Sequence, residues 1–450
     1  MKNFDTKKTI ISISTPIGSG GISIVRMSGE DSINIADRVF ITKNKNLPSS
    51  FEDRKLYLGN INSDLIKEKC VCVVFRAPNS FTGDNIVEFQ CHGGIKITQE
   101  IINICIKNGA KLAGRGEFSM RAFLNGKMTL AEAEGMMDTI NAESDAELKA
   151  SYTLSSGELS KKSEELQKEI IDIMSDIEVS FDYPEHDIEY KTKLDVKKRL
   201  LNIQKFLDEI LKTSKTGKLI KDGINVLIIG KPNVGKSSLL NSLIGKDKAI
   251  VTDVPGTTRD VIEDSFIING VKVNLIDTAG IHDTDDKVEK IGVEKSKDYI
   301  KLADLILFII DGSEEINKKD KDILKLIENN KYIKVINKSD LIKNKKDNNA
   351  IYISAKKGTN INALKELIYK KVIDEKILSS SILLTNERHV KALQDAKDAI
   401  LSAINNIDNN TLDVISIDIM DAFYALGEIT GTSSSEEVIN SIFSKFCLGK

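Results

Sequence analysis

The stretch "INVLIIGKPNVGKSS" (Ile224–Ser238) decides the fold of this chain. Its first six residues are almost all apolar, which predicts a buried strand. "GKPNVGKSS" (Gly230–Ser238) then fits G-x-x-x-x-G-K-[ST] between that strand and a helical stretch, the context that confirms a phosphate-binding loop. Glycines there let backbone N–H groups converge on phosphate oxygens. Lys236 reaches the β- and γ-phosphates, and the Ser237 hydroxyl is placed to ligate Mg²⁺. Apolar strands and helical stretches go on alternating through "VKVNLIDTAG", "LADLILFIID", "KYIKVINKSD" and "IYISAKKG". That alternation predicts a doubly wound, mostly parallel sheet with helices on both faces.

The polar ends of these strands carry the chemistry. "DTAG" (Asp277–Gly280) sets Asp277 beside the metal and Gly280 where an N–H meets a γ-phosphate. "NKSD" (Asn337–Asp340) ends another strand, and the Asp340 carboxylate accepts from guanine's N1–H and exocyclic amine, a pattern adenine does not offer. "SAK" (Ser354–Lys356) follows as a base-supporting loop. Four such elements in this order resemble the translation-factor-like GTPases, so the expected ligand is GTP. Two Ras-like features are missing. Ile281 stands where a water-positioning glutamine would be, and no arginine lies within Ala249–Thr258, although Arg259 follows. Hydrolysis therefore needs another positive charge and another group to hold the water.

At 450 residues the chain has room for about three domains. Residues 1–125 mix β-rich runs ("TIISIS", "GGISIVRMSG", "CVCVVF") with short helices, an α+β pattern. Residues 126–218 are helical, with an apolar stripe at Leu166, Ile170, Met174 and Ile177. The nucleotide block occupies 219–378. Residues 379–450 are helical again, with Leu412, Ile415, Ile419, Phe423 and Leu426 as a second stripe. Ser434 and Glu437 read as a capping box for a last helix. The two helical segments are expected to form one discontinuous domain, with the Ras-like P-loop domain inserted into it.

The hydrophobic share of 41% and charged share of 29% are ordinary for a water-soluble protein. No run approaches the roughly 20 apolar residues of a membrane span. "MKNFDTKKTIISIS" lacks a signal peptide's apolar core, so a cytoplasmic location is expected. Net charge is −3, from 64 basic and 67 acidic residues, so any RNA contact rests on a local patch or a partner. Cys70, Cys72, Cys91, Cys105 and Cys447 suit a reducing compartment. Cys70 and Cys72 share a strand face, but no second cysteine or histidine pair completes a zinc set. Buried strand thiols are the expectation. The chain ends "CLGK" (Cys447–Lys450), which fails as a C-a-a-X lipidation box because Gly449 and Lys450 stand in the wrong places.

"FTGDNIVEFQCHGG", "GEFSMRAFLNGKMTLAEAEG", "GKPNVGKSSLLN", "IVTDVPGTTRD", "DTAGIHDTDDKVEKIGVE" and "CLGK" stand in the order of one family. The chain closely resembles the MnmE (TrmE) tRNA-uridine-modifying GTPases nearly end to end. The resemblance implies a GTP site formed by Asn233, Val234, Gly235, Lys236, Ser237 and Ser238, with Thr252, Asp253, Val254, Pro255, Gly256, Thr257 and Thr258. Asp277, Thr278, Ala279, Gly280, Asn337, Lys338, Asp340, Ser354, Ala355 and Lys356 complete it. It further implies Mg²⁺ at Ser237 and Thr258, and K⁺ at Asn233, Thr252, Val254 and Thr257 in place of an arginine finger. Glu289 would hold the water indirectly, although by spacing alone it reads as an exposed helix charge.

The N-terminal part resembles folate-binding one-carbon enzymes, implying that Arg26, Glu88, Lys127 and the terminal Lys450 hold 5-formyl- or 5,10-methylene-tetrahydrofolate. Residue by residue, Arg26 and Glu88 also read as surface ions on strands, and Lys127 as a helix-start lysine. Cys447 reads equally as a catalytic thiol or a binding one. The resemblance implies a homodimer that works with an FAD- and NADH-using MnmG-type partner as a heterotetramer. The product would be an aminomethyl-type group at C5 of the wobble uridine of certain tRNAs. A regulatory GTPase that binds RNA or a ribosomal particle without altering it is the competing expectation.

Overall fold

A computed structural model describes residues 8–182, 186–245, 264–277, 298–342, 347–378 and 380–449, with the backbone alone at 181–182, 186–192 and 277. The chain forms two compact units. One comprises Met1–Met137, Ser155–Asp172 and Phe423–Lys450, the other Asp138–Leu154 and Ile173–Ala422.

The first unit is organised by a seven-stranded sheet: β1 (Ile10–Ile13), β2 (Gly20–Ser28), β3 (Phe40–Thr42), β4 (Tyr57–Asn62), β5 (Lys67–Phe75), β6 (Ile86–Gly93) and β7 (Lys111–Leu112). The order is β3-β4-β5-β6-β2-β1-β7, antiparallel except for the β1–β7 pair. Alternation sends Val25, Met27, Cys70, Cys72, Val87, Phe89 and Cys91 to one face, where they meet Ile35, Ala36, Ile101 and Cys105 from the helices Ser32–Val39 and Ile95–Lys107. Cys70 and Cys72 are core residues, as their strand spacing implies. Burial pushes the Cys70 and Cys105 thiols up to about 12 and Cys91 to about 11, so all three are protonated at neutral pH.

Strands β8 (Ile224–Ile229), β9 (Asp264–Ile268), β10 (Val271–Asp277), β11 (Leu305–Asp311), β12 (Tyr332–Asn337) and β13 (Ala350–Tyr352) form the second sheet. Its order is β13-β12-β11-β8-β10-β9, parallel but for β9 against β10. Apolar side chains cover both faces, Val226, Ile228, Leu307 and Ile309 on one and Leu227, Ile229, Ile306 and Phe308 on the other. That two-sided burial is why β8 and β11 are continuous apolar runs. β9 is absent from the sequence reading. Asn269 and Gly270, with φ of 48° and 76°, make the tight hairpin turn that an Asn-Gly pair between apolar runs signals.

Segment Asp138–Leu154 belongs with this second sheet because it is bonded to it. The Ala146 N–H donates to Gly270 O at 2.9 Å, Lys272 pairs with Glu143, and Lys221 Nζ lies 2.8 Å from Asp138 Oδ2. The helices His186–Leu211 and Glu387–Asn406 pack together; Val196, Leu200 and Ile203 are buried on the first and Leu393, Ala396 and Ile400 on the second. Two stripes differ in detail from their expected register. Ile173 is buried where Met174 was expected, and Ala422 where Phe423 was, because the helical repeat of 3.6 alternates three- and four-residue steps. The last helix, Glu436–Ser444, is capped by Ser435, which accepts from the Val438 N–H, and not by Ser434. The Ser434 hydroxyl is turned to Glu428 O, and Ile439 and Phe443 of the helix lie in the core.

Candidate functional site

The phosphate loop leaves β8 at Gly230, where a Cβ would lie 2.4 Å from Ile309 O. A side chain there would push β8 from β11, so only glycine fits. Asn233 takes φ 64° and Gly235 φ 94°, turning the chain into the helix Lys236–Ile244. A Cβ on Gly235 would be 2.3 Å from Asn337 Nδ2. Lys236 is buried, and its Nζ donates to Gly230 O at 3.0 Å and Lys231 O at 3.1 Å. The loop's own carbonyls thus orient the ammonium, while Ser237 and Ser238 remain accessible in the first helical turn.

Asn337 ties the phosphate loop to the base-supporting loop. Its Nδ2 donates to Val234 O at 2.9 Å and its Oδ1 accepts from the Ala355 N–H at 3.0 Å, both buried. Its amide is therefore committed at both ends, and Asn337 acts between loops. Lys338 takes a left-handed φ of 58° and its Nζ donates to Asp311. Burial opposes the Asp311 charge, but donors from Lys338 and Ser313 outweigh it and hold the carboxyl below its usual range. Asp340 Oδ1 accepts from Ser354 Oγ at 2.8 Å, and Lys357 Nζ lies 3.4 Å from Oδ2. The Ser354 hydrogen bond, with Lys357 behind it, lowers the Asp340 pKa, so this carboxylate is an acceptor at neutral pH. Ser242 Oγ anchors the base loop by donating to Ala355 O at 2.7 Å, and Lys356 is exposed.

Asp277 ends β10 opposite Ile228. Thr252, Asp253, Val254, Pro255, Gly256, Thr257, Thr258, Thr278, Ala279, Gly280 and Glu289 lie outside the described residues, as does Lys450.

In the other unit, Arg26 on β2 sits opposite Glu88 on β6 and Ser12 on β1. Arg26 Nε donates to Glu88 Oε1 at 2.7 Å, with the two side chains 22% and 12% exposed. They are therefore not free surface ions. They lie on the sheet face opposite the helices Ser32–Val39 and Ile95–Lys107, where the Arg26 guanidinium is 5.6 Å from the Phe81 ring and 5.9 Å from Phe118. The loop carrying Phe81 is held to β2 by the Ser28–Thr82 hydroxyl pair at 2.8 Å. Lys127 is not a helix-start residue. The helix Glu117–Leu124 ends in a Schellman turn, with Gly126 at φ 65° and the Lys127 N–H donating to Ala122 O at 2.8 Å. A Cβ on Gly83 would come 3.2 Å from Lys127 Cε, so the lysine passes over the Phe81 loop.

The carboxyl-terminal arm reaches the same sheet. Phe443 and Phe446 bury against Met120, Leu130 and Ala133. Leu448 then makes an antiparallel bridge to Arg115, and Ser14 Oγ donates to Gly449 O at 3.3 Å. Gly449 has φ 87°, and a Cβ there would meet Ile13 O at 1.8 Å. Cys447 is exposed, and its carbonyl accepts from the Gly116 N–H at 3.5 Å. Sequence reasoning missed Asp311 and Arg121. The second is a fully buried arginine whose Nη2 donates to Lys8 O at 2.8 Å and to Glu117 at 3.2 Å. The unusual polar tip of "LFIID" and the arginine on the buried face of "EFSMRAFL" are the available signals.

A doubly wound sheet with a glycine-turned phosphate loop, a buried lysine across it and an ionised aspartate at the base loop defines a P-loop guanine-nucleotide-binding protein. The comparisons narrow the class. The family description "GTP-binding protein TrmE N-terminus" matches residues 9–127, and "MnmE helical domain" matches residues 130–447, a span that contains the nucleotide-binding sheet. The tRNA modification GTPase MnmE of Lactobacillus johnsonii is 43% identical over 459 residues, covering 98% of each chain. That of Acetivibrio thermocellus is 43% identical over 454 residues, covering 98% of this chain and 99% of its own. This chain belongs to the MnmE family of tRNA modification GTPases, with an N-terminal domain, a helical domain and an inserted P-loop G domain. No helix among the described residues is long and apolar enough to cross a membrane.

Proposed function

We propose that this protein is a potassium-stimulated GTPase that takes part, with an FAD- and NADH-dependent MnmG-type partner, in adding an aminomethyl or carboxymethylaminomethyl group at C5 of the wobble uridine of certain tRNAs. The one-carbon unit comes from a tetrahydrofolate bound by the N-terminal domain, within a cytoplasmic homodimer. The observation that carries this reading is the docking of Leu448 and Gly449 on Arg115 and Ser14, residues that follow β7 and β1 of the sheet that holds the Arg26–Glu88 pair. An RNA-binding switch that does no chemistry has no use for such an arm.

Each group has a role its chemistry suits. The Glu88 carboxylate accepts from the amide-like edge of a pterin, oriented by the Arg26 contact, while Lys127 attracts a formyl oxygen or glutamate tail. In the G domain Lys236 and Ser237 hold phosphate and Mg²⁺, and Asp340 selects guanine. The exposed Asn233, at φ 64°, suits a cation ligand at the phosphate loop, to be joined by Thr252, Val254 and Thr257. A monovalent cation there offsets charge that builds during phosphoryl transfer.

The test has two arms. The double variant Arg26→Ala, Lys127→Ala is expected to lose measurable 5-formyl-tetrahydrofolate binding by titration calorimetry, while the parent binds. A parent that binds no reduced folate returns the chain to the RNA-switch reading. GTP hydrolysis in KCl is expected to exceed that in NaCl by roughly tenfold or more, the scale of one well-placed charge. Equal rates in the two salts remove the potassium assignment.

A further inference from the structure

Two lysines, each the second residue of its nucleotide loop, leave for the same short segment. Lys338 of the guanine loop donates to Asp311. Lys231 of the phosphate loop lies 2.9 Å from Asp320 Oδ2 and 3.6 Å from Glu314 Oε2. All three acceptors belong to the stretch from the end of β11 into the helix Lys318–Ile327. Asp320 is 1% exposed and has a second task, because it closes a capping box. The Asn317 N–H donates to Asp320 Oδ2 at 3.1 Å, and the Asp320 N–H donates to Asn317 Oδ1 at 3.3 Å. The Asp320 side chain therefore cannot swing aside without giving up its half of the capping box, the bond from the Asn317 N–H.

Lys231 is fixed at both ends. Its ammonium, 10% exposed at the side chain, is held by Asp320, whose hydrogen bond also raises the lysine pKa and keeps it charged. Its carbonyl is one of two, among the described residues, that receive Lys236 Nζ, at 3.1 Å. A buried ion pair adds little net stability over an apolar pair of similar volume. What this pair supplies is placement, running from a helix cap through Asp320 and Lys231 to the lysine that reaches the transferred phosphate.

We propose that Lys231, anchored by Asp320, is a positioning residue for GTP hydrolysis that acts by fixing one of the carbonyls that orient Lys236. Neither the motif nor the family resemblance assigns it a role, and the proposal is independent of the folate and potassium readings. Small misplacements of a catalytic group lower turnover more than they lower binding.

The test uses the full chain in KCl. The variant Lys231→Met, Asp320→Asn removes both charges while keeping a side-chain oxygen at position 320 to serve the cap, so folding is preserved and a melting scan checks it. GTP turnover is expected to fall roughly tenfold, while affinity for N-methylanthraniloyl-GDP, read by fluorescence, changes by less than about threefold. Lys231→Arg, which keeps a cation within reach of Asp320, is expected to stay within about threefold of the parent turnover. Parental turnover in the double variant overturns the proposal. So does a loss in Lys231→Arg as large as in the double variant, because the pair would then not be what positions the loop.

Discussion

Asp340→Asn is expected to weaken GTP binding by roughly 10²–10⁴-fold and to let xanthosine triphosphate bind in its place. The ionised carboxylate of Asp340 offers acceptors only, and its lowered pKa, set by the Ser354 hydroxyl and supported by Lys357, keeps it so at neutral pH. Guanine presents two N–H donors side by side. An asparagine presents one acceptor and one donor, so one guanine N–H meets another and loses its partner. Xanthine carries an oxygen where guanine has its amine, which the asparagine N–H₂ satisfies. Asp340 contributes to no core cluster and Asn keeps its shape, so the melting temperature should not move. Competition of both nucleotides against a fluorescent GDP analogue measures the exchange. An unaltered GTP affinity would remove Asp340 from the base site.

The second large effect is expected at Gly449→Val. The backbone there has φ 87°, a region costly for a β-branched residue by about 1–3 kcal/mol. The new Cβ would also lie 1.8 Å from Ile13 O, a backbone atom of a sheet strand that cannot retreat. The arm must then leave Ser14, carrying Leu448 from its bridge to Arg115. Affinity for 5-formyl-tetrahydrofolate should fall by at least about tenfold, since each 1.4 kcal/mol of lost docking is a factor of about ten. GTP turnover should stay within about twofold, because no bond described for the phosphate or base loop runs to the arm. Calorimetric titration and a phosphate-release assay separate the two. Unchanged folate affinity would disconnect the arm from the N-terminal site.

These predictions draw on different degrees of legibility. The phosphate loop, the aspartate proposed to read guanine and the parallel strands follow from local pattern, since glycine spacing and unbroken apolar runs act within a few residues. The cap falls at Ser435, one position from the expected one, because two adjacent serines compete and only the position of Glu428 O settles which hydroxyl is left free. The hairpin partner β9 is open to recognition through Asn269-Gly270. Lys127 differs from its expected setting because Gly126 ends a helix there and does not start one.

Guanine-nucleotide binding and membership of the tRNA-modifying GTPases are legible in short motifs read along the chain. Long-range contacts are legible only in three dimensions: Asn337 clasps Val234 across 103 residues, Arg26 and Glu88 form a partly buried pair across 62, and Gly449 rests on Ser14 across 435. The reason is physical. Pairing of buried polar groups depends on which strands and loops become neighbours, and that adjacency is set by how the apolar faces of the whole chain are buried, not by the residues on either side.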